Sequence, residues 1–349
     1  MKIVLWLFLI AFVRAGTAAD VTPGREIDLS RDAGSHQDYR TEWWYLTGWL
    51  QDESGARRGF QVTFFRSRNA GAEGNPSKFA AKQLVFAHAA LADPSQGRLL
   101  RAERTARAGF DLADAKQSNL NVFIDNWSLR QHGDHLTAQI DAEQFSLQLE
   151  ISVTQAILLQ GDNGYSKKGP QDGAASYYYS LPHLDVKGSI YVKGKLLSVI
   201  GEAWFDHEWS NEYVDAQAIG WDWIGINLND GGALMAFRMR DSNGKPTWAG
   251  GTWRTAEVTN VHAPDQVVWS PTRFWRSPRT GVSYPVAWRV RVGARVIELQ
   301  PLMDDQENDA RGSVGVLYWE GAVEALDESG KSIGRGYLEL TGYGEPARF

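Results

Sequence analysis

Residues 44–55 read WYLTGWLQDESG, and a second apolar stretch then ends in FFR at residues 64–66. An apolar strand, an acidic turn that contains glycine and a second strand are typical of a β-hairpin. A similar stretch, WIGINLNDG at residues 223–231, leads to LMAFR at residues 234–238. Common hairpin sequences could produce this match by coincidence, but the repeat favours two related β domains in tandem.

The rest of the chain shows the alternation of apolar and polar residues that half-buried β-strands require. Examples are SLQLEISV at residues 146–153 and WRVRV at residues 288–292. Long helical periodicity is nearly absent, and turns rich in glycine and aspartate interrupt the chain at short intervals. Residues 70–82 are rich in glycine, asparagine, proline and alanine, which indicates a loop. We therefore predict an all-β protein with two antiparallel β-barrel or sandwich domains, divided near residues 210–218.

The first residues have the order of a secretory signal peptide. Lys2 precedes an apolar run at residues 3–13, and small residues follow from Ala15 to Ala19. This run is too short for a membrane-spanning helix, so we predict cleavage after Ala19 and a secreted or periplasmic protein; a retained membrane anchor is the alternative. Because the chain has no cysteine, its stability cannot depend on disulfides. The predicted divisions are a signal peptide at 1–19, an N-terminal extension at 20–35, and two domains at 36–212 and 213–349.

The composition narrows the class of partner. The formal net charge is −6 at pH 7, which argues against nucleic acid and against an anionic membrane surface. The 15 Trp, 12 Tyr and 14 Phe are typical of apolar ligand pockets, but aromatic residues also suit pleated sheets. The sequence lacks zinc-protease histidine spacing, a G-x-S-x-G elbow and a phosphate-binding glycine loop. We predict a hydrophobic small molecule as partner, no cofactor, no metal, and acid–base chemistry if the protein is an enzyme.

One predicted strand concentrates ionisable and aromatic side chains. Residues 201–210 read GEAWFDHEWS. Since successive side chains of a strand point to opposite faces, His207 and Trp209 share one face while Asp206 and Glu208 share the other. An imidazole base beside an indole suits an apolar substrate. The two carboxylates either orient a neighbouring group or face water.

Further segments are candidates to face one pocket with His207. A carboxyl group among aromatic rings has a raised pKa and can serve as an acid, and tyrosine hydroxyls can orient a water molecule. Structural roles stay open for each segment: an aromatic plug at a barrel end, a turn cap, a hydrogen-bonded core histidine, or solvated lysines. The segments are TEWWY at 41–45, FAHAA at 86–90, GYSKKG at 164–169, ASYYYS at 175–180 and GWDW at 220–223. We predict catalytic roles for His207, Asp206, Glu208, Asp222 and Glu42, and ligand contacts for Trp209, Trp43, Trp44, His88, Tyr178, Lys168, Trp221, Trp223 and Tyr318.

Together these motifs resemble the AttH family. The motifs that carry the resemblance are EWWY at 42–45, AHA at 87–89, GYSKKG at 164–169, YYYS at 177–180, AWFDHEW at 203–209, GWDW at 220–223, YWEG at 318–321 and GYLELTGY at 336–343. The resemblance extends from about residue 36 to the C-terminus. It implies an exported protein with two lipocalin-like domains and a hydrophobic pocket near their junction. Members are often labelled secreted hydrolases, and the family shares its superfamily with the carotenoid 1,2-hydratases.

For the hydratase branch the resemblance implies addition of water across an isoprenoid double bond. An acid protonates the alkene, aromatic faces stabilise the cation, and a base activates water. A His-x-Trp pair proposed for that work matches His207 and Trp209. The hydratase's proposed acid is an aspartate two residues after a tyrosine, whereas the corresponding strand here reads LMAFR at 234–238. Either another carboxyl group takes this role in an enzyme of hydratase or hydrolase type, or the protein is a non-catalytic carrier of an apolar ligand.

Overall fold

The computed structural model describes residues 19–171, 173–212, 215 and 217–347. Strands dominate these residues and form two large antiparallel sheets in tandem, which confirms the predicted all-β fold. The predicted signal peptide lies outside the described residues except for Ala19, so it stays a prediction. In the described part of the chain, no helix is long and apolar enough to cross a membrane.

The N-terminal sheet contains thirteen strands and curls around its own apolar core. Its strands are β1 (Thr41–Asp52), β2 (Arg57–Arg68), β3 (Gln83–Ala92), β4 (Leu100–Arg107), β5 (Ala113–Ala115), β6 (Asn121–Ile124), β7 (Trp127–His132), β8 (His135–Asp141), β9 (Phe145–Ser152), β10 (Leu158–Leu159), β11 (Tyr165–Lys167), β12 (Ala175–Val192) and β13 (Lys195–Glu212). The order across the sheet is β4-β3-β2-β1-β13-β12-β9-β8-β7-β6-β5, and β10 and β11 also pair with β12.

The C-terminal sheet contains ten strands around a second apolar core. They are β14 (Gly220–Leu228), β15 (Ala233–Arg240), β16 (Pro246–Arg254), β17 (Thr259–His262), β18 (Val267–Arg276), β19 (Ser283–Val292), β20 (Arg295–Pro301), β21 (Glu307–Ala310), β22 (Val316–Leu326) and β23 (Ser332–Thr341). The order is β17-β16-β15-β14-β23-β22-β20-β19-β18, with β21 on β22. The chain passes from the first sheet to the second between Glu212 and Gly220.

Within the described ranges, helical structure is limited to single turns. One α-helical turn, α1 (Leu29–Asp32), follows Asp28, whose side chain accepts a hydrogen bond from the Ser30 N–H and caps it. Val21 and Ile27 of the N-terminal extension pack against the core of the N-terminal sheet. The extension therefore covers one end of that sheet. Three 3-10 turns lie at Ala70–Ala72, Pro94–Gln96 and Pro264–Gln266.

The hairpin repeat predicted from the sequence is present as β1–β2 and β14–β15. In both sheets the first strand also pairs with the last long strand, β13 in one and β23 in the other. The two halves can therefore be matched residue by residue. The matching cross-strand pairs are Glu42–Arg66 and Trp43–Phe65 in the first hairpin, and Asp222–Arg238 and Trp223–Phe237 in the second.

The two sheets pack face to face through a third apolar cluster that includes Tyr45, Trp204 and Trp223. At one end the contact is close: the Trp49 indole N–H donates to the Gly336 carbonyl at 3.0 Å. Gly59 is needed at this end, because a Cβ on it would lie 2.6 Å from the Ala322 Cβ. Further along, the sheets separate and leave a cavity.

Candidate active site between the two sheets

A cavity of about 300 Å³ lies between the sheets and is walled by aromatic side chains. Ser67, Ser313 and Val314 are half-buried at its edge, which marks the side that opens toward solvent. Aromatic walls with a few polar groups are typical of a site for a mostly apolar ligand. The aromatic lining residues are Trp43, Tyr45, Phe65, Phe86, Tyr178, Trp221, Trp223, Phe237 and Tyr318, and the central carboxyl groups are Asp206, Glu208, Glu320 and Glu339.

Asp206 is a buried carboxyl group held by three donors. The Tyr178 hydroxyl donates to it at 2.8 Å, the Ser180 hydroxyl at 2.5 Å and the Trp204 indole N–H at 2.7 Å. Burial raises the pKa of Asp206 from 3.8 to about 7, and the three hydrogen bonds oppose that rise only in part. A carboxyl group with this pKa can donate or accept a proton near neutral pH.

Glu208 lies two residues along β13 on the same face, in a different environment. The Lys168 ammonium is 2.9 Å from its carboxylate, and the Ser176 hydroxyl also donates to it. Lys168 is itself buried, with its Nζ 4.8 Å from the Tyr178 ring centre and 4.3 Å from that of Phe237. Of these two neighbours, Glu208 is ion-paired, whereas Asp206 has no ion-pair partner among the described residues.

Glu320 and Glu339 are functional candidates that the sequence analysis did not select. They are direct cross-strand neighbours on β22 and β23; Glu320 is buried and Glu339 is half-buried. Burial raises the pKa of Glu320 well above its usual value, and the negative charge of Glu339 raises it further. Burial also raises the pKa of Glu339 to about 7, although the Trp221 indole N–H donates to it at 2.9 Å. Their signal in the sequence was a carboxyl group alternating with aromatic residues in YWEG and GYLELTGY.

His88 lies at the cavity wall in a hydrogen-bonded chain that crosses between the sheets. Its Nδ1 is 2.8 Å from the Tyr318 hydroxyl, and its Nε2 is 2.8 Å from the Ser313 hydroxyl. Ser313 in turn donates to Glu103 at 2.5 Å. Burial lowers the pKa of His88 to about 3, so it is neutral at pH 7. His88 joins the two sheets and contributes to the ligand wall through Tyr318.

The structure corrects the prediction that His207 and Trp209 face this cavity. The predicted alternation holds, but the face shared by His207 and Trp209 points into the N-terminal sheet. The Trp44 ring, predicted as a ligand contact, stacks on His207 there with ring centres 5.0 Å apart. His207 is fully buried, and burial lowers its pKa to about 4 despite its hydrogen bond to Glu42. These three side chains belong to the core of that sheet and not to the cavity.

Glu42 borders the cavity, but its carboxylate is engaged on the interior side. It is bonded to Arg66 Nε at 2.9 Å, His207 Nε2 at 2.9 Å and His36 Nδ1 at 2.7 Å. Burial alone would raise the pKa of Glu42, but the Arg66 charge and the two histidine hydrogen bonds hold it below its usual value. The predicted role of Glu42 as an acid is therefore corrected: its surroundings keep it ionised.

The same group is the arrangement closest to a metal site among the described residues. Ligand atoms of His36, Glu42 and His207 lie within 4.8 Å of one another. Each nitrogen already has a partner, because His36 Nε2 faces Asp32 at 3.3 Å and His207 Nδ1 faces the Tyr179 hydroxyl at 3.1 Å. These hydrogen bonds alone account for the close approach of the three side chains. We interpret them as a buried, hydrogen-bonded polar cluster inside the N-terminal sheet.

Asp222 occupies the equivalent interior position in the C-terminal sheet. Arg238 Nε lies 2.5 Å from its carboxylate and Arg240 Nε lies 3.1 Å away. The Tyr343 hydroxyl donates to its other oxygen at 2.9 Å. The predicted catalytic role of Asp222 is corrected in the same way as that of Glu42, since both are ion-paired inside their sheets. The predicted residues that the structure brings together at the cavity are Asp206, Glu208, Glu42, Trp43, His88, Tyr178, Lys168, Trp221, Trp223 and Tyr318.

Comparison with solved structures shows where this architecture occurs. A putative AttH from Nitrosomonas europaea is 47% identical, covers 93% of this chain and 99% of its own, and has a TM-score of 0.88. Kievitone hydratase from Nectria haematococca is 16% identical over 93% of this chain and 95% of its own, with a TM-score of 0.69. CghA with Sch210972 is 13% identical over 87% and 89% of the two chains, with a TM-score of 0.55. The last two are related by fold alone.

The family assignment comes from the sequence match. A comparison with curated proteins gave no match. The family model described as AttH-like matches residues 20–343, which is nearly the whole chain. This match confirms the resemblance stated from the motifs, and the chain belongs to the AttH-like family.

Proposed function

We propose that the protein is an acid–base enzyme of hydratase type that adds water to a carbon–carbon double bond of a hydrophobic, isoprenoid- or lipid-like molecule. The observation that carries the proposal is Asp206: a buried carboxyl group with a pKa of about 7 that faces an aromatic-walled cavity. Such a group is partly protonated at neutral pH, and water is largely excluded around it. The AttH-like family and the hydratase fold of a neighbour support the same reaction class.

The geometry divides the reaction between two carboxyl groups. Asp206 donates its proton to one alkene carbon, and the cation that forms on the other carbon lies against rings such as Trp223. Glu208 accepts a proton from water as the water oxygen bonds to that cation, and the product is an alcohol. A proton then returns from Glu208 to Asp206 through water, which restores both groups. Two adjacent carboxyl groups in unequal environments suit these opposite roles.

The test follows oxygen from solvent into the product. Wild-type protein and Asp206→Asn are incubated in ¹⁸O-labelled water with a panel of prenylated and isoprenoid alkenes. We expect ¹⁸O-labelled alcohol from the wild type and a rate about 10²- to 10⁴-fold lower from the variant, because general acid catalysis is worth that much. Glu324→Gln is the control, since Glu324 lies further along β22 and outside the cavity.

Two outcomes contradict the enzyme proposal. Undiminished turnover by Asp206→Asn removes Asp206 as the acid. Conversely, an apolar molecule that co-purifies unchanged, with no turnover of any alkene in the panel, favours the alternative of a carrier. Export also remains part of the proposal, and N-terminal sequencing of the mature protein checks cleavage after Ala19.

A further inference from the structure

The internal repeat makes the two sides of the cavity comparable position by position. Trp43 of β1 pairs with Glu208 of β13, and Trp223 of β14 pairs with Glu339 of β23. Glu208 and Glu339 are therefore equivalent. On the next strand of each sheet, the residue paired with Glu208 is Tyr178 of β12, whereas the residue paired with Glu339 is Glu320 of β22.

The two sides differ in how their carboxyl groups are compensated. On the N-terminal side the Lys168 ammonium lies 2.9 Å from Glu208 and 4.3 Å from the Phe237 ring centre. On the C-terminal side, no lysine, arginine or histidine of the described residues forms an ion pair with Glu320 or Glu339. The ring equivalent to Phe237 is Phe65, and it also lines the cavity.

Two unpartnered acceptor atoms, one from each sheet, lie in the cavity lining. Glu320 is 2% exposed, and its Oε1 makes no hydrogen bond of normal geometry among the described residues, although the Tyr45 hydroxyl lies close enough to lower the pKa of Glu320. The Gln61 side chain is also 2% exposed, and its Oε1 is likewise without a partner in the part of the chain that the structure describes. The Gln61 amide oxygen can only accept a hydrogen bond, and so can the Glu320 Oε1 when that carboxyl group is ionised; a buried acceptor left unpaired costs about 1–3 kcal/mol. A ligand that donates hydrogen bonds would satisfy both atoms.

We infer that the cavity binds an apolar molecule that carries a protonated amine, with the ammonium group between Glu320 and Glu339 and against the Phe65 ring. The ligand ammonium would occupy on the C-terminal side the position that the Lys168 ammonium occupies on the N-terminal side. A carboxylate pair beside an aromatic face is the combination that binds organic cations. The inference specifies the ligand class of the proposed active site, but it concerns binding and does not require turnover.

Proton release should accompany this binding. The groups that act on Glu320 and Glu339 are the phenols of Tyr45, Tyr318 and Tyr337, the Trp221 indole, and the carboxyl groups of Asp206, Glu208 and Asp222. With no cation present, burial and mutual repulsion favour a proton on the glutamate pair. A bound ammonium favours the ionised pair and displaces that proton. Affinity for a cation therefore rises with pH through about 7.

The experiment compares two probes that differ in the head group alone, octylammonium and 1-octanol. Their affinities for the full chain are measured by calorimetry at pH 5.5 and pH 8, where alkylammonium stays protonated because amines titrate near pH 10. At pH 8 we expect octylammonium to bind about tenfold more tightly, as one charge-assisted contact provides. At pH 5.5 most of this preference should be lost. Repeating the titration in buffers of different ionisation enthalpy should show proton release on binding of octylammonium alone.

Variants assign the preference to the pair. Glu320→Gln combined with Glu339→Gln should abolish the preference for octylammonium while 1-octanol still binds, which shows that the cavity remains folded. Glu324→Gln on the same strand should keep the preference. Equal affinities of the two probes for the wild type at pH 8, or a preference that survives in the double variant, would overturn the inference. Neither result would bear on whether Asp206 catalyses hydration.

Discussion

At the residue scale, Asp206 and His207 show that a shift of one position along a strand places a side chain in a different chemical environment. They are adjacent in sequence, yet Asp206 faces the cavity between the sheets and His207 faces the core of the N-terminal sheet. The alternation of faces could be predicted from the sequence, because it depends only on strand geometry. Which face meets the cavity could not, since both faces carry aromatic and ionisable side chains and both are buried.

Asp206 also makes stability depend on pH in a defined direction. Its pKa is about 7 in the folded chain and near 4 when unfolded, so folding binds a proton between those values. The contribution of Asp206 to the free energy of unfolding is complete below pH 4 and is lost as pH rises through 7. The total loss is about 4 kcal/mol at most. We therefore expect the free energy of unfolding, measured with urea, to fall less between pH 5 and pH 8 for Asp206→Asn than for the wild type. Identical losses in the two proteins would contradict the raised pKa.

At the element scale, the repeated hairpins each place one cross-strand ion pair inside a sheet. Glu42 pairs with Arg66 in one, and Asp222 pairs with Arg238 in the other. The hairpins and their likeness were predictable, because strand periodicity and turn residues are local signals. The burial of their carboxylates was not predictable. The arginine that neutralises each carboxylate lies on the other strand of the hairpin, and the register between the two strands decides which arginine that is.

A double-mutant cycle tests the structural role of the first pair. Glu42→Gln and Arg66→Met should each lower the free energy of unfolding by about 3–5 kcal/mol, because each leaves one buried charge without its partner. The double variant should be destabilised by clearly less than the sum, and denaturant titrations of all four proteins measure this coupling. Strict additivity would show that the two side chains do not depend on each other.

At the scale of the whole molecule, the cavity exists because two similar sheets pack face to face. Tandem β domains and a junction pocket were expected from the sequence and its family resemblance. The second pair of carboxyl groups, Glu320 and Glu339, could not be placed there in advance, because they lie more than a hundred residues from Asp206 in sequence. Long-range packing of this kind depends on how the two sheets meet and has no local signature.

The central claim is that the ligand lies between the sheets on the Asp206 face. A crystal structure of the protein with bound 1-octanol tests it most directly. We expect the alcohol between the sheets, in contact with Asp206 and the Trp223 ring. Density for the alcohol inside the N-terminal sheet, beside His207 and Trp209, would contradict the account and restore those residues as the binding site.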